Sequence, residues 1–304
     1  MTSALPKLRY LSAWFCPYAH RATIALEHHA GRVEYEWVEA LGWEQRKDDK
    51  NVTGTGSEWW YHWKADELKR CNPSALVPTL IPLDKDGNPD ESKQSLMSDV
   101  TIDTTNLTTN NSKSVYESLV TIDYIDAIAN APSENLKLVP SDPYLAAKCR
   151  IWADKVNREC CSPYYGVLVR TDDNERKEHF NKLVDGLKSF SREIEKSGGN
   201  SFLGDGRLSS VDIALMPWAW RYYIFEHYRG HEYAIPYNIP ELHAYKAWYD
   251  HVFSLESVKR TLPDKDRYLE HIGKYADASA RSKVANAVRR GVAAHELDDD
   301  KDTY

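Results

Sequence analysis

A chain of 304 residues is long enough for two domains of ordinary size. Its formal charge of −7 is carried without any lysine or arginine block, which argues against nucleic acid as a main partner. No run approaches the roughly 20 apolar residues of a membrane span, and the opening residues carry no secretory signal, so a cytoplasmic protein with no membrane partner is expected.

In chain order, residues 8–14 read as a strand and Phe15-Cys16-Pro17-Tyr18-Ala19-His20-Arg21 opens a helix. Pro17 suits the first helical turn, where its missing N–H costs nothing. Cys16 therefore sits at a helix N-terminus, whose unpaired N–H groups and dipole favour thiolate and can pull a cysteine pKa below about 8.5. Ala19 stands one turn on, so no partner thiol follows, and the pattern is that of a single-thiol active site. Ala22, Ala25 and Leu26 continue the helix and Gly31 stops it, while His28-His29 reads as polar residues favoured at a helix end. Residues 33–37 alternate apolar and acidic side chains as a strand does, completing a βαβ unit.

The segment 42–63 combines charge, Gly54, Gly56 and an aromatic cluster (Trp59, Trp60, Tyr61, Trp63) and reads as a long connection. Residues 79–83 form a further strand before a turn at 84–89, and the Asn-, Thr- and Ser-rich stretch 91–114 reads as a second, less ordered insertion. Leu119, Ile122, Ile125, Ile128 and Ala129 mark an amphipathic helix. From residue 142 the pattern turns helical: 143–169, 174–196, 210–227 and 240–259, then shorter pieces to about 290. Ser209-Ser-Val-Asp212 resembles a capping box, a feature worth about 1 kcal/mol. The predicted division is a domain at 1–132 with the two insertions, a helical domain at 140–290 and an acidic tail at 291–304.

Four motifs in this order, Cys16-Pro17 at a helix start, Asn72-Pro73-Ser-Ala-Leu-Val77-Pro78, Val115-Tyr-Glu117-Ser118 and then an all-helical half, resemble the glutathione transferase family. Cys-Pro-Tyr-Ala-His-Arg most resembles its omega-like cysteine classes. The resemblance implies an α/β thioredoxin-like N-terminal domain followed by an all-α C-terminal domain. It implies that Val77-Pro78 is the family's cis-proline turn, whose exposed Val77 backbone pairs with the peptide-like middle of glutathione. Ser118 would then hold the γ-glutamyl carboxylate and Glu117 its ammonium group, while Lys64 aligns with a lysine that contacts the glycyl end. Trp218, Arg221 and Tyr222, with Tyr164 and Tyr165 as another wall, would line the pocket for a small hydrophobic or aromatic second substrate.

Glutathione is thus expected as co-substrate, with no tightly bound cofactor and no metal. Cys160-Cys161 lacks metal-ligand spacing, and neither a zinc motif nor a Gly-rich phosphate loop is present. Five cysteines, an odd count, make no disulfide framework. A cysteine in place of a hydroxyl implies thiol transfer: the thiolate attacks a glutathionylated substrate, and a second glutathione resolves the mixed disulfide. Deglutathionylation and dehydroascorbate reduction are the corresponding reactions. Two rivals stay open. The glutathionyl-hydroquinone reductases share Cys-Pro-aromatic-Ala-His-Arg and a Gly-Trp like Gly42-Trp43, and a non-catalytic relative would keep the fold as a binding module. Family members are commonly dimers, so a homodimer is compatible with the resemblance.

Overall fold

The computed structural model describes residues 4–47, 58–90 and 113–297. The chain divides into two compact units, Met1–Gly42 with Lys64–Pro132, and Trp43–Trp63 with Ser133–Tyr304. The first is α/β and the second largely helical, the expected fold class.

In the first unit, β1 (Lys7–Ser12) leads through α1 (Pro17–His28) to β2 (Glu34–Glu39), which pairs parallel with β1 from Lys7↔Glu34 to Ser12↔Glu39. Two further strands, β3 (Leu41–Lys47) and β4 (Glu58–Lys64), precede α2 (Asp66–Cys71). β5 (Thr79–Leu83) pairs antiparallel with β1, and β6 (Val115–Tyr116) with β5, giving the order β2-β1-β5-β6 before α3 (Ser118–Ala129). Every residue of β5 is buried, as an inner strand requires. Pro82 is tolerated there because β6 reaches only Thr79 and Leu80. Ala19, Ala22, Ile24, Ala25 and Leu26 bury one side of α1. His29, expected at an ordinary helix end, is instead fully buried, with Nε2 2.8 Å from Asp126 Oδ1 on α3.

The second unit runs α4 (Pro143–Val156), a π turn (Asn157–Cys161), α5 (Pro163–Val169), α6 (Asp173–Ser197), α7 (Ser210–Ala219), α8 (Tyr223–Arg229), α9 (His243–Val252), α10 (Glu256–Lys259), α11 (Lys265–Ala276) and α12 (Lys283–Arg289). The expected helix at 143–169 is thus three segments. Pro163 cannot donate to the carbonyl four residues back, and the ladder widens beside it, with Ser162 N–H bonding to Asn157 O at 2.9 Å. The helix expected over 210–227 breaks at 220–222, where Arg221 N–H turns to Trp218 O at 2.8 Å. α6 ends on Gly198 in the left-handed region, and a Cβ on Gly199 would lie 2.0 Å from Gly204 O, so this glycine pair is required by space. The capping box is present in full: Ser209 Oγ accepts from Asp212 N–H while the Asp212 carboxylate accepts from Ser209 N–H.

The segment 42–63 is not a plain connection. β3 and β4 pair as a two-stranded arm, and its residues 43–63 belong to the helical unit. Trp60 N–H donates to Ser279 O at 3.1 Å and Trp60 O accepts from Arg281 N–H at 2.7 Å. Trp43 Nε1 donates to His271 Nε2 at 3.0 Å, the Lys274 ammonium lies 5.4 Å from the Trp43 ring and 4.8 Å from the Trp60 ring, and the Arg281 guanidinium covers the Trp59 ring at 3.5 Å. Burial, and then the nearby Lys274 charge, bring His271 down to about 2, so its imidazole is neutral and its Nε2 accepts from Trp43. A histidine depressed in the fold supplies stability that is complete above its unfolded pKa, about 6.5, and is lost as pH falls toward the folded value. Thermal unfolding should therefore show a midpoint falling below pH 6.5, and His271→Gln, which keeps an acceptor for Trp43, should flatten that limb. An unchanged acid limb would remove His271 from the account.

The second insertion, apart from residues 113–114, lies outside the described residues, as do positions 298–304 of the acidic tail. Among the described residues no helix is long and apolar enough to cross a membrane.

Candidate active site

Between β1 and α1 the chain makes a single turn, closed by Cys16 N–H donating to Ala13 O at 3.0 Å. The Glu39 carboxylate at the end of β2 accepts from Trp14 N–H within that turn, at 3.1 and 3.3 Å. Cys16 is the N-cap of α1 with an extended backbone (φ −74°, ψ 118°), and Pro17 follows as the first helical residue. The thiol lies at the open end of the helix, where backbone N–H groups lack helical partners. Of the five free cysteines, Cys16 alone is half-exposed; Cys71, Cys149, Cys160 and Cys161 are buried.

Opposite the thiol stands the turn before β5. Asn72 builds it: its Nδ2 donates to Leu76 O at 2.9 Å and to Thr79 Oγ1 at 3.0 Å, and its Oδ1 accepts from Ser74 N–H at 3.0 Å. The Val77–Pro78 bond is cis. Cys16 Sγ lies 4.0 Å from Val77 O, and Val77 N–H has no hydrogen-bond partner among the described residues.

The start of α3 supplies a further group. Glu117, exposed, holds a left-handed φ of 69°, a conformation costing a non-glycine residue about 1–3 kcal/mol. Ser118 begins the helix, and its Oγ accepts from Arg21 Nη1 at 2.9 Å. Cys16 and Arg21 share α1, so the thiol and the α3 N-terminus are tied through one helix. The structure thus brings Cys16 beside Val77, whose bond to Pro78 is cis, and joins α1 to Ser118. Lys64 closes β4, half-buried, just before α2.

The five residues expected to line a second-substrate pocket are placed differently. Tyr164, Trp218 and Arg221 have no accessible surface, and Tyr222 and Tyr165 retain 1 % and 5 %. Tyr164 and Tyr268 hydroxyls meet at 3.0 Å, Tyr222 donates to Cys160 O at 3.0 Å, and Arg221 donates to Pro217 O at 2.6 Å while lying over the Tyr268 ring at 4.7 Å. They are core side chains of the helical unit, with almost no surface to offer a ligand. Helical spacing of aromatics reads the same way in a core as in a cleft. Sequence reasoning in turn missed Asn72 and Glu39 as builders of the site, and Arg21 as the partner of Ser118. For Arg21 a signal existed, a permanent charge set among Ala22, Ile24 and Ala25 on an apolar helix. Among the described residues no group of three or more His, Cys, Asp or Glu side chains could hold a metal.

A half-exposed thiol at the N-cap position of a helix, facing a cis-proline turn on a mixed four-stranded sheet, is the arrangement of a thioredoxin-like thiol site. Residues 15–128 match the glutathione S-transferase N-terminal domain. The chain is 28% identical over 263 residues to glutathione transferase GST 23 of Zea mays, covering 86% of this chain and 92% of the relative. It is 26% identical over 206 residues to glutathione S-transferase U26 of Arabidopsis thaliana, covering 68% and 81%. Among solved structures, glutathione transferase Omega 3C from Trametes versicolor superimposes with a TM-score of 0.60 at 25% identity, covering 90% of this chain and 92% of that one. Rice GST1, solved in complex with glutathione, shares the fold with a TM-score of 0.63 at 21% identity, covering 91% and 99%. Along most of its length the chain is thus similar to glutathione transferases, and its residues 15–128 match the N-terminal domain of that family.

Proposed function

We propose that this protein is a glutathione-dependent thiol transferase of the omega-like kind, acting through a mixed disulfide between Cys16 and glutathione. The observation that carries the reading is the half-exposed Cys16 thiol at the N-cap of α1, 4.0 Å from Val77 O. A hydroxyl in that place could only steady a glutathione thiolate; a thiol can itself attack sulfur. Cys16 thiolate attacks the glutathione sulfur of a glutathionylated substrate, the old S–S bond breaks, and the substrate leaves as thiolate and takes up a proton. A second glutathione thiolate then attacks the mixed disulfide, releasing glutathione disulfide and restoring Cys16. The net exchange turns one glutathionylated substrate and one glutathione into the free thiol and glutathione disulfide, and no other reductant enters.

In this reading Val77 N–H and C=O pair with the backbone of the glutathione cysteinyl residue, Ser118 with the γ-glutamyl carboxylate, the exposed Glu117 with its ammonium group, and Lys64 with the glycyl carboxylate. Small mixed disulfides and dehydroascorbate are the substrates of first choice. Glutathionyl-hydroquinone reduction is the second reading, favoured by the Gly42-Trp43 pair and tested by comparing the two substrate classes on one preparation. Incubation with glutathione disulfide followed by peptide mass spectrometry tests the site directly. One reducible glutathionyl group on Cys16 and none on the four buried cysteines is the expected outcome; an unmodified Cys16 would favour a binding module that keeps the fold without the chemistry.

A further inference from the structure

Arg21 lies on α1 beyond Cys16 and is fully buried although its charge is permanent. Its Nη1 donates to Ser118 Oγ at 2.9 Å, and its guanidinium lies 5.6 Å from the centre of the Tyr18 ring. Arginine has donors and no acceptor, so the direction of this bond is fixed: the hydroxyl oxygen accepts. A serine hydroxyl has one proton, and no described residue takes it from Ser118 Oγ, whose side chain is more than nine-tenths buried. The proton must therefore point away from Arg21. The backbone N–H groups of the first turn of α3 are likewise donors without helical partners. A carboxylate bound against Ser118 Oγ and this turn meets donors from both, while Glu117 stands beside them as the acceptor for the ammonium group.

We propose that Arg21 is a positioning residue that makes Ser118 a dedicated hydrogen-bond donor, so that the start of α3 selects a carboxylate over an uncharged carboxamide on the same carbon of the γ-glutamyl group. The inference rests on the glutathione reading given above. A carboxylate offers two acceptor oxygens to these donors. A carboxamide offers one and carries no charge for the buried Arg21 guanidinium behind Ser118 to attract, and its NH2 group finds only the second lone pair of an oxygen that already accepts from Arg21. Without Arg21 the hydroxyl can rotate and accept from the amide, and the discrimination relaxes.

The test compares glutathione with its glutamyl α-carboxamide analogue, titrated against the full-length chain by calorimetry. The natural protein should bind glutathione about 10- to 100-fold more tightly than the analogue, the range of a lost hydrogen bond to a charged group. Arg21→Met should bring that ratio to within a few-fold, and Arg21→Lys, which retains a donor, should keep part of it. Ser118→Ala should lower the ratio to the same level, and Arg21→Lys added to Ser118→Ala should change it no further. That cycle stands even where Arg21→Met fails to fold. A merely structural role would weaken both ligands together and leave the ratio untouched. An unchanged ratio in the folded Arg21 variants, or a further fall in the double variant, overturns the proposal. If the natural protein binds neither ligand, the glutathione reading itself is overturned, and the inference with it.

Discussion

Cys16→Ser should abolish thiol transfer to small glutathione mixed disulfides, by roughly 10³-fold or more, the scale on which removal of a covalent nucleophile acts. No other thiol can stand in. Cys71, Cys149, Cys160 and Cys161 are buried, and burial pushes the Cys160 thiol well above its usual range. The same variant should leave the fold intact, because serine is smaller only at one atom and Cys16 makes no side-chain capping bond to α1. It should also gain conjugating activity toward electrophiles, since a hydroxyl at the helix N-terminus can donate to a glutathione thiolate without competing for it as a nucleophile. Steady-state rates with a glutathionylated thiol and with an aryl halide, measured on both proteins, read the two effects together. Transfer that survived in the serine variant would take Cys16 out of the mechanism.

Asp212→Ala should be among the most destabilising single changes in the helical unit. The Asp212 carboxylate is completely buried and receives four donors. Ser209 N–H and Ser209 Oγ reach Oδ2 at 2.8 and 2.7 Å, while Phe202 N–H and Trp248 Nε1 reach Oδ1 at 3.0 and 2.8 Å. Burial pushes the carboxyl upward and the four donors oppose it. The side chain thus holds together the loop before α7, the start of α7 itself and α9. Truncation strands three buried N–H groups at once, and the cost expected for breaking such a network is about 3–5 kcal/mol. Loss of the hydroxyl partner alone, in Ser209→Ala, should cost about 1 kcal/mol, the usual worth of a cap. Urea unfolding midpoints separate them. Equal losses would mean that Asp212 is no more than a cap.

Much of the α/β unit is visible in its residues. The alternation of residues 33–37 marks β2, the apolar run 79–83 marks an inner strand, and Cys16-Pro17 marks a helix start, since each signal is local in the chain. The features that escaped depend on distant partners. Nothing in His28-His29 shows that His29 is to be buried, because its partner Asp126 lies 97 residues on. The aromatic run 59–63 has no two-residue alternation, and its strand character comes from pairing with β3 and from the edge formed by Ser279 and Arg281. Core and cleft demand the same spacing of large side chains, so Tyr164, Trp218 and Tyr222 carried no mark of which they serve. The breaks at Pro163 and near Trp220 were legible only in part, since a proline reveals an interruption and not how the backbone absorbs it.

The arm formed by β3 and β4 makes the helical unit discontinuous in sequence, with consequences for how the molecule comes off the ribosome. Trp60 is synthesised early, yet the backbone that grips it, around Ala280, follows about 220 residues later. At ordinary elongation rates of about 5–20 residues per second, that is a wait of roughly 10–40 s. During it an indole-rich ribbon has no native surface to rest on. A helical fragment begun at residue 133 would lack the strip that covers α11, and a fragment ended at residue 132 would carry that strip with nothing to lie against. The two units, separate as folded bodies, are not separable as genes.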